Sequence, residues 1–230
     1  MTKKTLIIDC DGVLYPASML TLQEFVDAMK NTYRDDLKVD SKTQAKVSEQ
    51  TISKQRLGMF NYINEMCLET GYNFDDFCLK MQEKINYEKI SRDDSLFKLL
   101  KETATNHNVV ILTNNHISHL DKVLNCRFGK NIQEMQDAGI SCYDIKSTMR
   151  DGVFYPKQDP QALSMFAEKI GASVSDCVLI DDTKRNIDAA KHIGMQAVLI
   201  DENSCTLKNY LNTLNSSNII LKQSNTHDRQ

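Results

Sequence analysis

The stretch TLIIDCDGVLYP, residues 5–16, runs four apolar or β-branched residues straight into two acids spaced two apart, Asp9 and Asp11. Such a run reads as a strand buried on both faces, since a half-exposed strand would alternate apolar with polar residues. A carboxylate pair where that strand stops is costly to desolvate unless other groups compensate it. The fold follows from the first half of this stretch, and the function from whatever answers the second half.

Working outward, VVILTN (109–114) and CVLIDD (177–182) repeat the pattern, and QAVLID (196–201) follows soon after. Each apolar run ends in polar residues, and helical patterns separate them. Continuous Val/Ile/Leu runs alternating with helices imply an α/β fold: a parallel, Rossmann-like core sheet flanked by helices. In open sheets of this kind the working site lies outside the carboxyl ends of the strands. That rule gathers Asp9, Thr113, Asn114, Asp181 and Asp182 along one edge.

The first crossover is far longer than the dozen or so residues a crossover needs. Within it Leu22, Phe25, Val26, Met29 and Tyr33 recur at helical spacing, as do Met59, Tyr62, Ile63 and Met66, then Phe77, Cys78, Met81 and Ile85. A small helical domain over residues 17–91, inserted after the first strand, is expected. The core is then 1–16 with 92–215, and 216–230 reads as a flexible tail. HISHLDKVLN and DPQALSMFAEKIG read as helices, the second stopped by Gly171. GISCYDIKSTMRDGVFYPKQDP (139–160) reads as irregular or short extended pieces.

Composition limits the function classes. With 230 residues and a net charge of −3, nothing electrostatic favours nucleic acid or an anionic membrane. No apolar run approaches the ~20 residues of a membrane span. The 7 cysteines show no CxxC spacing. They read as reduced and mostly buried, which places the protein in a cytosol, its own or another cell's. Oligomeric state is left open. Cys10, between the two acids, reads as a core filler. His116 and His119 read as helix-surface residues, and Lys54 and Arg56 as part of a solvated helix face.

Singly, the polar segments have bland explanations as turns, caps or surface charge. Together they make an acid pair, a hydroxyl, a lysine and a second acid pair, in that order. This set suits phosphoryl transfer through an aspartyl phosphate. Asp9 attacks phosphorus, while Asp11 gives a proton to the leaving oxygen and later takes one from water. Mg²⁺ supplies positive charge, Lys157 holds the phosphate, and Thr113 with the Asn114 backbone N–H binds non-bridging oxygens.

These segments resemble the haloacid dehalogenase superfamily of phosphohydrolases. DCDGVLYP is similar to its first motif, VVILTNN to its second through Thr113, KQDP to its third and VLIDDTKRNIDAAKHIGM to its fourth. The resemblance implies Asp9 as nucleophile, Asp11 as acid/base and Lys157 in the lysine's place. It also implies metal ligands from a carboxylate oxygen of Asp9, the backbone carbonyl of Asp11 and Asp182, with Asp181 as a water-mediated partner. The insert resembles a C1-type cap. Within the superfamily the pyrimidine 5′-nucleotidase-like branch looks most similar, although Gly12-Val13 and Gln158 depart from its usual motifs. The implied substrate is a small phosphorylated metabolite such as a nucleoside 5′-monophosphate. The alternative is a phosphotyrosine protein. A receiver-type signalling domain is about half this length and lacks the insert. No cysteine has an arginine at the Cys-x5-Arg offset, and no GxxxxGK loop occurs.

Overall fold

The computed structural model describes residues 3–56, 58–201 and 203–216. Its strands are β1 (Thr5–Ile8), β2 (Asn108–Leu112), β3 (Ile140–Tyr143), β4 (Met149–Arg150), β5 (Val153–Phe154), β6 (Cys177–Asp181) and β7 (Gln196–Leu199). Five of them form one parallel sheet in the order β3-β2-β1-β6-β7. β1 is therefore central, and the chain departs from it toward β2 on one side and is flanked by β6 on the other. A crevice at such a reversal is where open sheets bind ligands.

The continuous apolar runs are explained by burial on both faces. Leu6, Ile8, Val109, Ile111, Val178 and Ile180 belong to one core layer. Ile7, Val110, Leu112 and Leu179 belong to the other, under α8 (Pro160–Lys169) and α9 (Lys184–His192). Successive residues of each strand thus alternate between two cores, so neither face can be polar.

The sheet has one strand more than the sequence implied. β3 lies at an edge and alternates buried with half-buried positions, Ile140 and Cys142 against Ser141 and Tyr143, which hides it from a search for unbroken apolar runs. The hairpin β4–β5 is the short extended element expected nearby. Its turn is Asp151-Gly152, both at positive φ (51° and 73°), as a two-residue hairpin loop requires.

Residues between β1 and β2 form α1 (Leu22–Asp35), α2 (Ser41–Ser53), α3 (Met59–Thr70), α4 (Phe74–Glu83) and a single 3-10 turn (Tyr87–Lys89), followed by α5 (Asp94–Ala104). α1 starts at a capping box in which Thr21 and Glu24 bond each other's backbone N–H. α2 was not legible from periodicity because it buries only Val47 and Thr51. The insert is pinned to the core at several points. The Asn61 side chain accepts from Phe154 N at 2.9 Å and donates to Phe154 O at 2.8 Å. Phe74 stacks on Phe154 with ring centroids 5.0 Å apart. At the return to the core, Arg127 donates to Leu14 O (2.8 Å), Ser91 O (2.6 Å) and Asp93 Oδ2 (2.8 Å).

α6 (Ile117–Phe128) and α7 (Ile132–Asp137) complete the layer beside β2 and β3. A helical segment over 207–216 buries Leu207 and Leu211. Apart from Ser216, the expected tail lies outside the described residues. No helix among the described residues is long and apolar enough to cross a membrane.

Candidate active site

The ends of β1 and β6 deliver the acids. Asp9 follows β1, its backbone N–H donating to Ile180 O at 2.9 Å, so the sheet ladder itself fixes where it stands. Asp181 closes β6, and Asp182 is the next residue. Carboxylate oxygens of Asp9, Asp181 and Asp182 all lie within 4.8 Å of one another. Asp181 is fully buried and held by Thr183 N (2.9 Å) and by Asn186 Nδ2 (2.9 and 3.0 Å) from the first turn of α9.

Lys157 compensates this cluster. Its side chain is 1% exposed, and Nζ sits 2.5 Å from Asp9 Oδ1, 2.9 Å from Asp181 Oδ2 and 3.0 Å from Leu112 O. The loop after β5 is registered by a further bond, Lys157 N to Asn114 Oδ1 at 2.8 Å. Burial works against the ammonium charge, but Asp181 and Asp9 outweigh it and raise the lysine's pKa. One cation does not balance the site. Burial pushes Asp9 well above the usual carboxylate range, and Asp181 and Asp11 push the same way against Lys157. Burial and then Asp181 raise Asp182 as well.

Gly12 closes the arrangement. Its φ is +75°, and a Cβ there would lie 2.0 Å from Asp182 Oδ2. The turn after β1 therefore needs glycine twice over, for its backbone angle and for the approach of Asp182. A cluster of hard oxygen donors with excess negative charge, kept open by a glycine, is the donor set Mg²⁺ takes.

Asp11 is partly exposed and faces a different set of partners. Its Oδ1 accepts from the Tyr15 hydroxyl and meets His119 Nε2 at 2.8 Å. Its Oδ2 accepts from Thr113 Oγ1 at 3.3 Å. Burial would raise Asp11, but its contacts with His119 and Tyr15 prevail and hold it down at about 2. Thr113 Oγ1 also accepts from Asn115 N at 2.9 Å.

All the residues singled out from the sequence thus converge on one edge. One expectation fails nearby. His116 and His119 are not surface residues: they are 4% and 0% exposed. His116 is the N-cap of α6, with Nε2 3.1 Å from Asp75 of α4, and His119 points inward to Asp11. Both side chains meet residues of the insert, Asp75 for His116 and Phe25 for His119, and no local pattern in the sequence shows where the insert lies. Lys54 and Arg56 are solvated as expected, with side chains 45% and 29% exposed. Both clamp Glu65 of α3, which is 5% exposed, at 2.7 and 2.6 Å. Cys10 is a buried filler as expected, and all seven cysteines are free thiols.

Beside Asp11 opens a cavity of about 330 Å3. The insert contributes Phe25, Met59, Phe60 and Asn61, and the core contributes Asn114, Asn115, Ile145 and Phe154. Among the described residues, no lysine, arginine or histidine lines it.

The parallel sheet with a buried carboxylate–lysine centre at its reversal point defines an α/β protein of the hydrolase type. More particularly, the chain belongs to the haloacid dehalogenase-like hydrolases, whose family profile matches residues 3–194. CbbY from Rhodobacter sphaeroides, solved in complex with phosphate, is similar at a TM-score of 0.54 and 14% identity, over 86% of each chain. The enzyme bt-2542 from Bacteroides thetaiotaomicron, in complex with magnesium and inorganic phosphate, is similar at 0.51 and 15% identity, over 87% of this chain and 95% of that one. At such identities the likeness concerns the fold. A Mycobacterium tuberculosis protein named phosphatase MT3486 is 34% identical over 65 residues, which span 28% of this chain and 30% of the relative.

Proposed function

We propose that the protein is a Mg²⁺-dependent phosphomonoester hydrolase working through a phosphorylated Asp9. The observation that carries this reading is the buried Asp9–Lys157–Asp181 cluster with Asp182 beside it. A structural ion pair needs one carboxylate rather than three, whereas phosphoryl transfer uses the whole set. Asp9, the Asp11 backbone carbonyl and Asp182 would hold the ion, with Asp181 behind them. When bound, the ion supplies charge neutralisation between the carboxylates and the incoming phosphate.

This chain's own residues do the rest. An Asp9 carboxylate oxygen attacks phosphorus as the ester oxygen leaves. Asp11, ionised in the free protein, takes up a proton as the phosphate dianion enters beside it, gives that proton to the ester oxygen, then takes one from the water that attacks phospho-Asp9. Lys157 neutralises Asp9 and one phosphate oxygen, and its links to Asp181 and Leu112 O hold Nζ in place. Thr113 Oγ1 and the Asn114 N–H serve the remaining oxygens. The stakes are high, since hydrolysis of phosphate monoesters is among the slowest uncatalysed reactions, with accelerations of up to ~10²¹.

The helices of residues 17–91 act as a cap over this centre, on a core formed by 1–16 and 92–215. Support comes from the cavity, which takes one wall from the insert and the other from the strand edge. About 330 Å3 lies at the small end of ligand pockets. A small phosphorylated molecule with an uncharged, partly apolar leaving group fits its amide and aromatic walls, and a nucleoside 5′-monophosphate is one such molecule. The free thiols agree with a reducing cytosol. Initial rates of phosphate release test the reading, with Mg²⁺ or with EDTA and with Asp9→Asn as blank. The panel holds p-nitrophenyl phosphate, the nucleoside monophosphates and a phosphotyrosine peptide. Metal-dependent turnover led by a nucleotide is expected, and preference for the peptide would replace the small substrate by a protein. EDTA-insensitive turnover would remove the metal.

A further inference from the structure

Asp11 is the end of a buried chain of side chains that begins in the insert. His119, fully buried on α6, places Nε2 2.8 Å from Asp11 Oδ1 and Nδ1 2.8 Å from the Tyr87 hydroxyl. That hydroxyl also hydrogen-bonds the side-chain amide of Gln82, fully buried near the end of α4. Phe25 of α1 packs edge-on against the imidazole at 5.1 Å. Three elements of the insert region thus hold one ring of the core.

The protons of this chain can be placed. Asp11 as a carboxylate only accepts, so His119 Nε2 carries a hydrogen and donates it. On the neutral ring Nδ1 is then an acceptor, and Tyr87 must donate to it. A single hydroxyl proton cannot also serve an oxygen of Gln82. Turning the Gln82 amide by half a turn presents Nε2–H to the Tyr87 oxygen instead. The same turn gives a partner to Gln82 Nε2, a buried donor that otherwise has none. Every donor then points toward Asp11.

We infer that His119 is a positioning residue that aims the Asp11 carboxyl group at the leaving oxygen and is itself held in one tautomer by Tyr87 and Gln82. The inference rests on the acid–base role of Asp11 proposed above. Tyr15 and Thr113 also touch Asp11, but Thr113 does so at 3.3 Å. Orientation of a proton donor matters most when the leaving group is poor, and least when it leaves readily as an anion.

The test compares kcat/KM for 2-phenylethyl phosphate, an alkyl ester, with that for p-nitrophenyl phosphate, using the full chain with Mg²⁺. This ratio reports steps through the first phosphorus–oxygen cleavage, so hydrolysis of phospho-Asp9 does not enter. His119→Leu should lose about 10- to 100-fold on the alkyl ester, the range for a hydrogen bond to a charged group. Its loss on the nitrophenyl ester should be several-fold smaller. His119→Gln, which keeps a donor, should recover part of the difference, and Tyr87→Phe should move the same way by less. Equal losses on both esters would reduce His119 to packing and overturn the inference, as would no loss. Where His119→Leu fails to fold, the same comparison is decided by Tyr87→Phe and His119→Gln. Wild-type silence on both esters would overturn the phosphohydrolase reading and this inference with it.

Discussion

Replacing Gly12 by alanine is expected to disable the site while leaving most of the fold intact. The added Cβ would stand 2.0 Å from Asp182 Oδ2 and 2.6 Å from its Cγ. Ordinary contact begins at 3.4 Å, so the carboxylate must retreat by about 1.4 Å. Moving the end of one side chain costs little stability. The backbone cost is separate, about 1–2 kcal/mol for a non-glycine residue in the left-handed region. In a chain of this size that lowers the Tm by roughly 2–8 °C. Function should suffer more. Mg²⁺ accepts oxygen ligands only near 2.0–2.1 Å and in near-octahedral order, so a carboxylate displaced beyond about 1 Å no longer ligates. A misplacement of that size costs on the order of 10²-fold in rate. Phosphate release measured against Mg²⁺ concentration should show a higher half-saturating concentration and a kcat/KM down about 10²-fold. A Mg²⁺ titration that overlays the wild type, in a protein with the lowered Tm, would mean that Asp182 is no ligand, because the strain would then be present without the loss of one.

Other perturbations follow from the same geometry. Lys157→Met leaves Asp9 and Asp181 buried without their counter-ion, and losing one partner of a buried pair costs about 3–5 kcal/mol. A Tm drop larger than that of Gly12→Ala, together with loss of turnover, checks this. Asp93, near the return from insert to core, is raised by burial but held at about 2 by bonds from Lys208 and Ser95 and by Arg127. A depressed carboxylate contributes stability above its unfolded pKa of about 4 and loses it as pH falls toward the folded value. Asp93→Asn should therefore lower the Tm at pH 7, with the gap to wild type closing by about pH 2. Met59→Ala removes apolar wall from the cavity, so KM for a substrate with an apolar leaving group should rise about 5-fold with kcat held, as expected for lost uniform binding worth about 1 kcal/mol.

The sheet was legible because β1, β2 and β6 are buried on both faces, which leaves an unbroken apolar run that few other elements produce. β3 escaped for the opposite reason: as an edge strand it alternates, over only four residues. α2 escaped because its contact with α3 needs little apolar surface. The acids and Lys157 were legible as a set, since strand ends and motif order place them without knowledge of any side-chain contact. His119 was not. Its role depends on Tyr87, Gln82 and Phe25 arriving from a distant part of the chain, and sequence spacing places a residue on a helix without showing what covers it. The pairing of Lys54 and Arg56 with Glu65 of another helix was hidden in the same way.

The most direct test of the account asks whether Asp9 carries the phosphoryl group. Enzyme quenched during turnover and reduced with borohydride converts an aspartyl phosphate to homoserine, which sequencing of the N-terminal peptide by mass spectrometry locates. Homoserine is expected at position 9 and at no other aspartate, dependent on substrate and Mg²⁺ and absent from Asp9→Asn. Steady turnover with position 9 unmodified throughout, or Asp9→Asn turning over at the wild-type rate, would contradict it.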